Sequence, residues 1–113
     1  MGGKHGAVPI LPCTDLARSE AFYARLGFGA TAVFGAQGYR ILHDREGASL
    51  HLARVQAGSV SAAENVYGVY LYSERVEELA CVFGQAAELK PWGVREFAVI
   101  DPDGTLIRIG WPE

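Results

Sequence analysis

Cysteine is scarce in this chain, and its placement excludes several classes of protein. Only Cys13 and Cys81 occur among the 113 residues, and they lie far apart in the sequence. Neither belongs to a spacing of the kind that binds a metal or cycles between thiol and disulfide. We interpret both as small apolar side chains and expect a cytoplasmic protein.

Long hydrophobic runs and an excess of positive charge are missing as well. No segment approaches the roughly 20 apolar residues of a membrane-spanning helix, and residues 1–5 lack the apolar run of a signal peptide. We therefore expect no membrane partner. The chain has 10 Lys and Arg against 13 Asp and Glu, a net charge of −3, and its basic residues are scattered. This balance argues against a nucleic-acid partner and is compatible with a cationic ligand.

The apolar pattern of the first half, residues 7–55, predicts a β-strand, a helix and three further strands. The opening run contains Pro9 and Pro12, which is typical of an edge strand. Thr14 is predicted to cap the helix that follows, and Gly27 to end it. The further strands are predicted at residues 28–34, 39–43 and 49–55.

Residues 56–64 are small and polar and are interpreted as a connector, after which the pattern starts again in residues 65–113. A strand is predicted at 66–72 and an amphipathic helix at 76–83. Segment 89–93 is irregular, so one strand of this half is expected to be short or missing. Two last strands, 97–100 and 105–110, flank the turn Asp101-Pro102-Asp103-Gly104.

The two halves repeat each other at matching positions. Leu16, Ala21 and Tyr23 recur 60 residues later as Val76, Cys81 and Phe83, and Gly47, Leu50 and Leu52 recur 57 residues later as Gly104, Ile107 and Ile109. An internal repeat of this length indicates two copies of one structural unit. We predict a single α+β domain, residues 1–113, in which two βαβββ modules form a curved mixed sheet with a ligand groove.

Two sequence motifs carry a resemblance to a known family. Residues 15–28 contain DLARSEAFY followed by LGF, and residues 101–107 read DPDGTLI. The first resembles the opening motif, and the second the closing hairpin, of the glyoxalase/bleomycin resistance proteins, the vicinal oxygen chelate superfamily. Finer features, such as LHL followed by Arg54, resemble the bleomycin-binding branch. The resemblance covers nearly the whole chain and implies paired βαβββ modules, often in a homodimer whose protomers exchange modules or strands.

The resemblance raises the question of a metal, because the family's enzymes hold a divalent cation with His and Glu at pseudo-symmetric positions. The corresponding positions here are Val8, Tyr67 or Gly68, His51 and Arg108. Only His51 is a good ligand, and Arg108 would place a permanent positive charge where the cation should lie. We therefore expect no metal and no other cofactor.

Aromatic side chains are the best candidates for contact with a flat ligand. Phe34 and Tyr39 flank a turn where the resemblance places stacking aromatics. Tyr67 and Tyr70 lie on the predicted fifth strand, and Trp92 lies in the irregular segment. The alternative is that strand tyrosines such as Tyr70 belong to the core or to a dimer interface.

Two polar side chains complete the predicted groove. His51 and Arg108 are predicted to donate hydrogen bonds to an anionic or carbonyl-bearing ligand, or alternatively to pair with carboxylates such as Glu96. Phe97 lies in the segment REFAV, which resembles the bleomycin-binding branch. The candidate ligand-contacting residues are therefore Phe34, Tyr39, His51, Tyr67, Tyr70, Trp92, Phe97 and Arg108.

Three functional hypotheses follow from these patterns. The leading one is a metal-free, homodimeric protein of the bleomycin-resistance type, which sequesters an aromatic or cationic antibiotic-like ligand. The alternative is a metal-dependent lyase, isomerase or dioxygenase of the glyoxalase family that recruits a metal through His51. The third is a structural or regulatory dimer without a ligand, in which the aromatic side chains pack against each other or against the partner.

Overall fold

The computed structural model describes residues 6–113, and residues 1–5 lie outside the described part. The first module contains β1 (Ile10–Cys13), α1 (Leu16–Ala24), β2 (Gly29–Phe34), β3 (Tyr39–His43) and β4 (Ser49–Arg54). The second contains β5 (Gly68–Tyr72), α2 (Val76–Val82), β6 (Glu88–Leu89), β7 (Val94–Ile100) and β8 (Leu106–Pro112). No helix of the described part is long and apolar enough to cross a membrane.

Each module forms its own four-stranded mixed sheet. The strand orders are β1-β4-β3-β2 in the first sheet and β5-β8-β7-β6 in the second, so the two sheets have the same topology. The pairs β1–β4 and β5–β8 are parallel, and the other pairs are antiparallel. The prediction of two βαβββ modules is confirmed. The proline-containing strand β1 lies at a sheet edge, as predicted, because proline cannot donate to a second ladder.

The second module is the less regular one, and its departures from the predicted boundaries have local causes. Strand β5 begins at Gly68, two residues later than predicted, because the Asn65 side chain holds the preceding segment. Its amide donates to the carbonyl of Asp103 at 2.9 Å and accepts from the Tyr67 N–H at 2.8 Å. Strand β6 has only two residues, which confirms the short strand, although Leu89 belongs to it rather than to an irregular loop.

The predicted cap of α1 is wrong by one residue. Asp15, not Thr14, lies at the N-cap and accepts the Arg18 N–H at 3.0 Å. The Thr14 hydroxyl instead donates to Asp103 at 2.7 Å, and the Thr14 N–H donates to the other oxygen of the same carboxylate at 3.2 Å. A long-range acceptor therefore takes Thr14 away from the helix and ties the first module to the closing hairpin of the second.

One cluster of buried apolar side chains joins the two modules. Phe22 of α1 packs on Phe83, which follows α2, with ring centroids 5.6 Å apart. The largest fully buried apolar side chains come from both modules and include Tyr23, Leu42, Leu52, Ile107 and Ile109. The helices and the inner faces of both sheets therefore share one core.

A buried carboxylate strengthens this junction. The Tyr23 hydroxyl donates to Asp101 Oδ2 at 2.6 Å, while Asp101 Oδ1 accepts the N–H groups of Asp103 and Thr105, both at 2.9 Å. Burial and the neighbouring carboxylate raise the pKa of Tyr23 well above its ordinary range. Asp101 is thus a turn residue, as predicted, that also satisfies a hydroxyl in the core.

The alternation of side chains along the strands leaves the opposite face of each sheet away from this core. We call it the outer face. In β4, Leu50 and Leu52 are buried and His51 between them lies on the outer face. In β8, Ile107 and Ile109 are buried and Arg108 between them is exposed. Both residues predicted to face a groove therefore lie on an outer face.

Candidate functional site

The outer face of the first sheet carries a tyrosine–histidine pair. The Tyr39 hydroxyl lies 2.7 Å from Nδ1 of His51, and the two rings meet edge to face with centroids 5.3 Å apart. On the ladder, His51 lies between Ile10 of β1 and Ile41 of β3. The pair is thus a polar contact within an apolar surface, and the other ring nitrogen of His51 receives no hydrogen bond from residues 6–113.

Exposed aromatic side chains stand at a hairpin of each sheet. Phe34, at the end of β2, is 47% exposed, and Trp92, in the turn between β6 and β7, is 61% exposed. Phe34 is paired in register with Tyr39 across its hairpin. Exposed rings of this size offer flat apolar contact area at a low cost in conformational entropy.

The outer face of the second sheet is built around Glu96, which is 5% exposed. The Tyr70 hydroxyl donates to Glu96 Oε1 at 2.8 Å, and the rings of Tyr70 and Tyr72 are 4.9 Å apart. Burial, followed by donation to this carboxylate, raises the pKa of Tyr70 to about 12. The buried carboxylate and the neutral phenol therefore form one hydrogen-bonded unit.

A cavity of about 570 Å³ opens beside Glu96. Within it, Lys90 Nζ lies 3.2 Å from Glu88, whereas Arg108 forms no ion pair with any residue in 6–113. The residues that line the cavity all belong to the second module and are Gln85, Ala86, Glu88, Lys90, Trp92, Glu96, Phe97, Ala98 and Arg108. It is therefore a mixed site with an aromatic wall, one buried carboxylate and one free guanidinium.

The structure sorts the predicted ligand contacts into two groups. Phe34, Tyr39 and His51 lie on the first sheet, whereas Tyr70, Trp92, Phe97 and Arg108 lie on or beside the second. Tyr67 precedes β5 and is exposed. Phe97 is 4% exposed and packs on Phe83 in the core, so it reaches the cavity only as part of its wall.

The alternative in which His51 and Arg108 pair with carboxylates is wrong for the described part of the chain. The polar partner of His51 is Tyr39, and Glu96 bonds to Tyr70 rather than to Arg108. From the sequence, Glu96 is identified only as a possible partner of His51 or Arg108, and its position at the centre of the second outer face is not predicted. The repeat carried the signal, because Glu96 lies 57 residues after Tyr39, the partner of His51.

The residues on these faces do not fit a metal of the family's enzymes. The neighbour of His51 on β1 is Ile10, and the neighbour of Arg108 on β5 is Tyr70. Divalent cations need several convergent nitrogen, oxygen or sulfur ligands. Residues 6–113 contain no group of three or more His, Cys, Asp or Glu side chains that could hold one.

Comparison with known sequences finds a bleomycin resistance protein as a relative of this chain. No family model matches the chain. It is 32% identical over 120 residues to the bleomycin resistance protein of Klebsiella pneumoniae, an alignment that covers 91% of this chain and 89% of that protein.

Solved structures give the same result at the level of the fold. The structure is similar to that of a bleomycin-binding protein complexed with bleomycin, with a TM-score of 0.82, 27% identity, and coverage of 97% of this chain and 100% of that one. A bleomycin resistance determinant encoded on transposon Tn5 gives a TM-score of 0.83 at 27% identity, with 97% and 99% coverage. Lactoylglutathione lyase from Agrobacterium tumefaciens, at 19% identity and a TM-score of 0.71 over 96% and 95% of the chains, shares the fold alone.

Proposed function

Because the chain belongs to the glyoxalase/bleomycin resistance family, we propose that it binds and sequesters a bleomycin-like small molecule without metal or catalytic chemistry. The observation that carries the proposal is the pair of exposed rings, Phe34 and Trp92, each at a hairpin beside polar outer-face residues. A planar apolar ligand stacks on such rings, while hydrogen-bonding groups beside them fix its orientation. Sequestration needs nothing more.

We propose that the functional unit is a homodimer. The cavity on the second sheet is lined by the second module alone, whereas Phe34 and Tyr39 lie on the first sheet. A groove with aromatic side chains from both sheets is completed when the first sheet of one copy faces the second sheet of its partner. Exposed apolar side chains on the outer faces of both sheets, Ile10, Phe34, Tyr72 and Ile100 among them, support a covered surface.

Within this groove the predicted residues divide into two roles. Stacking is assigned to the aromatic set Phe34, Tyr39, Tyr67, Tyr70 and Trp92, with Phe97 behind them in the wall. Hydrogen bonding to the ligand is assigned to His51 and Arg108, whose side chains lie on the two outer faces. The expected location is the cytoplasm.

The proposal is tested by titrating metal-free bleomycin into the full-length protein in a calorimeter. We expect saturable binding of one ligand per chain. The Trp111→Phe variant leaves Trp92 as the only tryptophan, so its fluorescence should change over the same concentration range. Trp92→Ala in that background should weaken binding by about 1 kcal/mol or more, because a stacking surface is lost.

Two further measurements separate sequestration from other activities. Bleomycin recovered from the saturated complex should be chemically unchanged, and cells that express the chain should tolerate more bleomycin than cells that express the Trp92→Ala variant. Absence of heat and of any fluorescence change would reject the proposal. Conversion of the recovered drug would favour an enzyme instead.

A further inference from the structure

A tyrosine crosses one strand of the second sheet to reach a carboxylate on the next. Strand β8 lies between β5 and β7, and Gly110 of β8 is the residue opposite both Tyr72 and Glu96. The Tyr70 hydroxyl passes over Gly110 to Glu96. A Cβ at position 110 would overlap that hydroxyl and lie 2.8 Å from Cγ1 of Val94. Glycine therefore makes the crossing sterically possible.

The first module has no counterpart of this crossing. By the register of the two sheets, Ile10 corresponds to Tyr70, Ala53 to Gly110 and Tyr39 to Glu96. A tyrosine, a glycine and a glutamate thus replace three residues that are unable to form this arrangement. The crossing is a property of the second sheet, not of the shared fold.

The carboxylate held in this way keeps unused acceptor capacity. A carboxylate offers about four lone-pair sites. Within residues 6–113, the Glu96 side chain receives one side-chain hydrogen bond, from Tyr70, and forms no ion pair. Further donors stabilise a carboxylate that is largely buried, and the second oxygen of Glu96 remains accessible to them. The cavity beside Glu96 is where such donors would come from.

Arg108 supplies the complementary half of the site. Arg108 lines the same cavity, and its guanidinium carries five N–H donors and has no ion-pair partner among the described residues. The other two charges of the cavity, Lys90 and Glu88, are paired with each other. A ligand in the cavity therefore meets one acceptor and one donor of opposite charge, with the Trp92 ring at the wall.

We propose that Glu96 and Arg108 form a subsite for a neutral carboxamide, with Tyr70 as a positioning residue. The amide N–H donates to Glu96 and the amide carbonyl accepts from Arg108, while a ring attached to the amide lies against Trp92. A cation is disfavoured by Arg108 and an anion by Glu96. This inference rests on the proposed function, since it names one chemical group that the same face recognises.

Three matched probes test it: benzamide, benzamidine and benzoate, which share the ring and differ in the charge and the hydrogen-bonding groups of one substituent. Each is titrated into the ¹⁵N-labelled full-length protein, and the Trp92 indole and Gly110 amide signals are followed. We expect benzamide to bind roughly tenfold more tightly than either charged probe, because only benzamide satisfies both groups. Preference for benzamidine, preference for benzoate, or no saturable shift by any probe would each overturn the proposal.

Substitutions test the Arg108 part and the Glu96 part of the subsite separately. Arg108→Ala, at an exposed position, should weaken benzamide binding roughly tenfold and strengthen benzamidine binding, whereas Arg45→Ala, another exposed arginine, should change neither. Tyr70→Phe keeps the ring but removes the donor to Glu96. It should shift the benzamide-to-benzamidine ratio toward benzamidine, a change that loss of stability alone would not produce. An unchanged ratio in Tyr70→Phe or Arg108→Ala would contradict the assignment.

The bleomycin titration keeps this inference separate from the proposed function. If bleomycin binds the wild-type protein but the probes show no preference for the amide, the subsite is wrong and the function stands. If the amide preference is found but bleomycin does not bind, the subsite stands and the function is wrong.

Discussion

The two outer faces have the same strands in the same order, yet the side chains that form hydrogen bonds on them differ. On the first sheet, Tyr39 donates to or accepts from His51 beside the apolar Ile10. On the second sheet, Tyr70 donates to Glu96 across β8, beside Arg108, which has no ion-pair partner within residues 6–113. One face is a nearly neutral aromatic surface and the other is a charged cavity.

The inner and outer faces of the two modules are under different physical constraints. The inner faces, which build the core, retain equivalent apolar residues such as Leu50 and Ile107, because close packing tolerates little change in volume. The outer faces are free of that requirement and have diverged. A groove that uses one face from each module therefore gains an aromatic wall and a polar wall from a single duplicated unit.

Alanine substitution at two equivalent glycines should give the largest difference in stability. Gly47 and Gly104 have φ values of +98° and +91°, but of the two only Gly104 lies against backbone, since a Cβ at position 104 would be 2.7 Å from Cα of Ala62. Gly47→Ala should cost about 1–2 kcal/mol, for its left-handed backbone alone. Gly104→Ala should cost a further ~2 kcal/mol or more, because the connector cannot yield without moving the chain. Urea denaturation of both variants measures the difference, and equal losses would show that the connector is not packed on the turn.

A smaller loss of stability is expected when one hydroxyl at the junction of the modules is removed. Tyr23→Phe removes the donor to Asp101 and leaves a buried carboxylate oxygen without that partner. The free energy of unfolding should fall by roughly 1–3 kcal/mol. The matched control is Tyr39→Phe, which deletes the hydroxyl bound to His51 on the partly exposed outer face and should cost under about 0.5 kcal/mol. Thermal unfolding of the two variants compares them, and a cost for Tyr39→Phe as large as that for Tyr23→Phe would refute the junction's special role.

Mixing two binding-deficient variants tests whether the two faces meet between copies. Phe34→Ala damages the first face and Trp92→Ala the second, so each homodimer alone should bind bleomycin weakly. After unfolding and refolding together, about a quarter of the grooves should be intact if each groove uses the first module of one chain and the second module of the other. Calorimetry counts the tight sites. If no tight sites are recovered, while a wild-type and variant mixture does yield them, the groove lies within one chain.

The internal repeat explains how much of this molecule could be predicted. The module topology and the side of the sheet on which His51 and Arg108 lie follow from spacing, because strand alternation is local. The role of Thr14 and the position of Glu96 do not follow, since each depends on a partner far away in sequence, Asp103 and Tyr70. The need for glycine at position 110 could not be predicted for the same reason. It arises only because the Tyr70 side chain, from another strand, passes over this residue.

The smallest expected effect is the titration of the tyrosine that crosses β8. The pKa of Tyr70 is raised from 10.0 to about 12 by burial and by donation to Glu96, so its neutral form is favoured in the folded state. Its contribution to stability is therefore fully present below pH 10 and is lost as the pH rises toward 12.

Subtracting the ultraviolet phenolate titration of Tyr70→Phe from that of the wild type isolates the titration of the Tyr70 phenol. Its midpoint should lie well above that of an ordinary tyrosine, and Glu96→Gln should lower it in part, because burial remains while the charged acceptor is gone. An unshifted midpoint in the wild type would mean that the phenol does not rest on Glu96 in solution. The two outer faces would then differ in charge, but not in the hydrogen-bonded arrangement that distinguishes the second one.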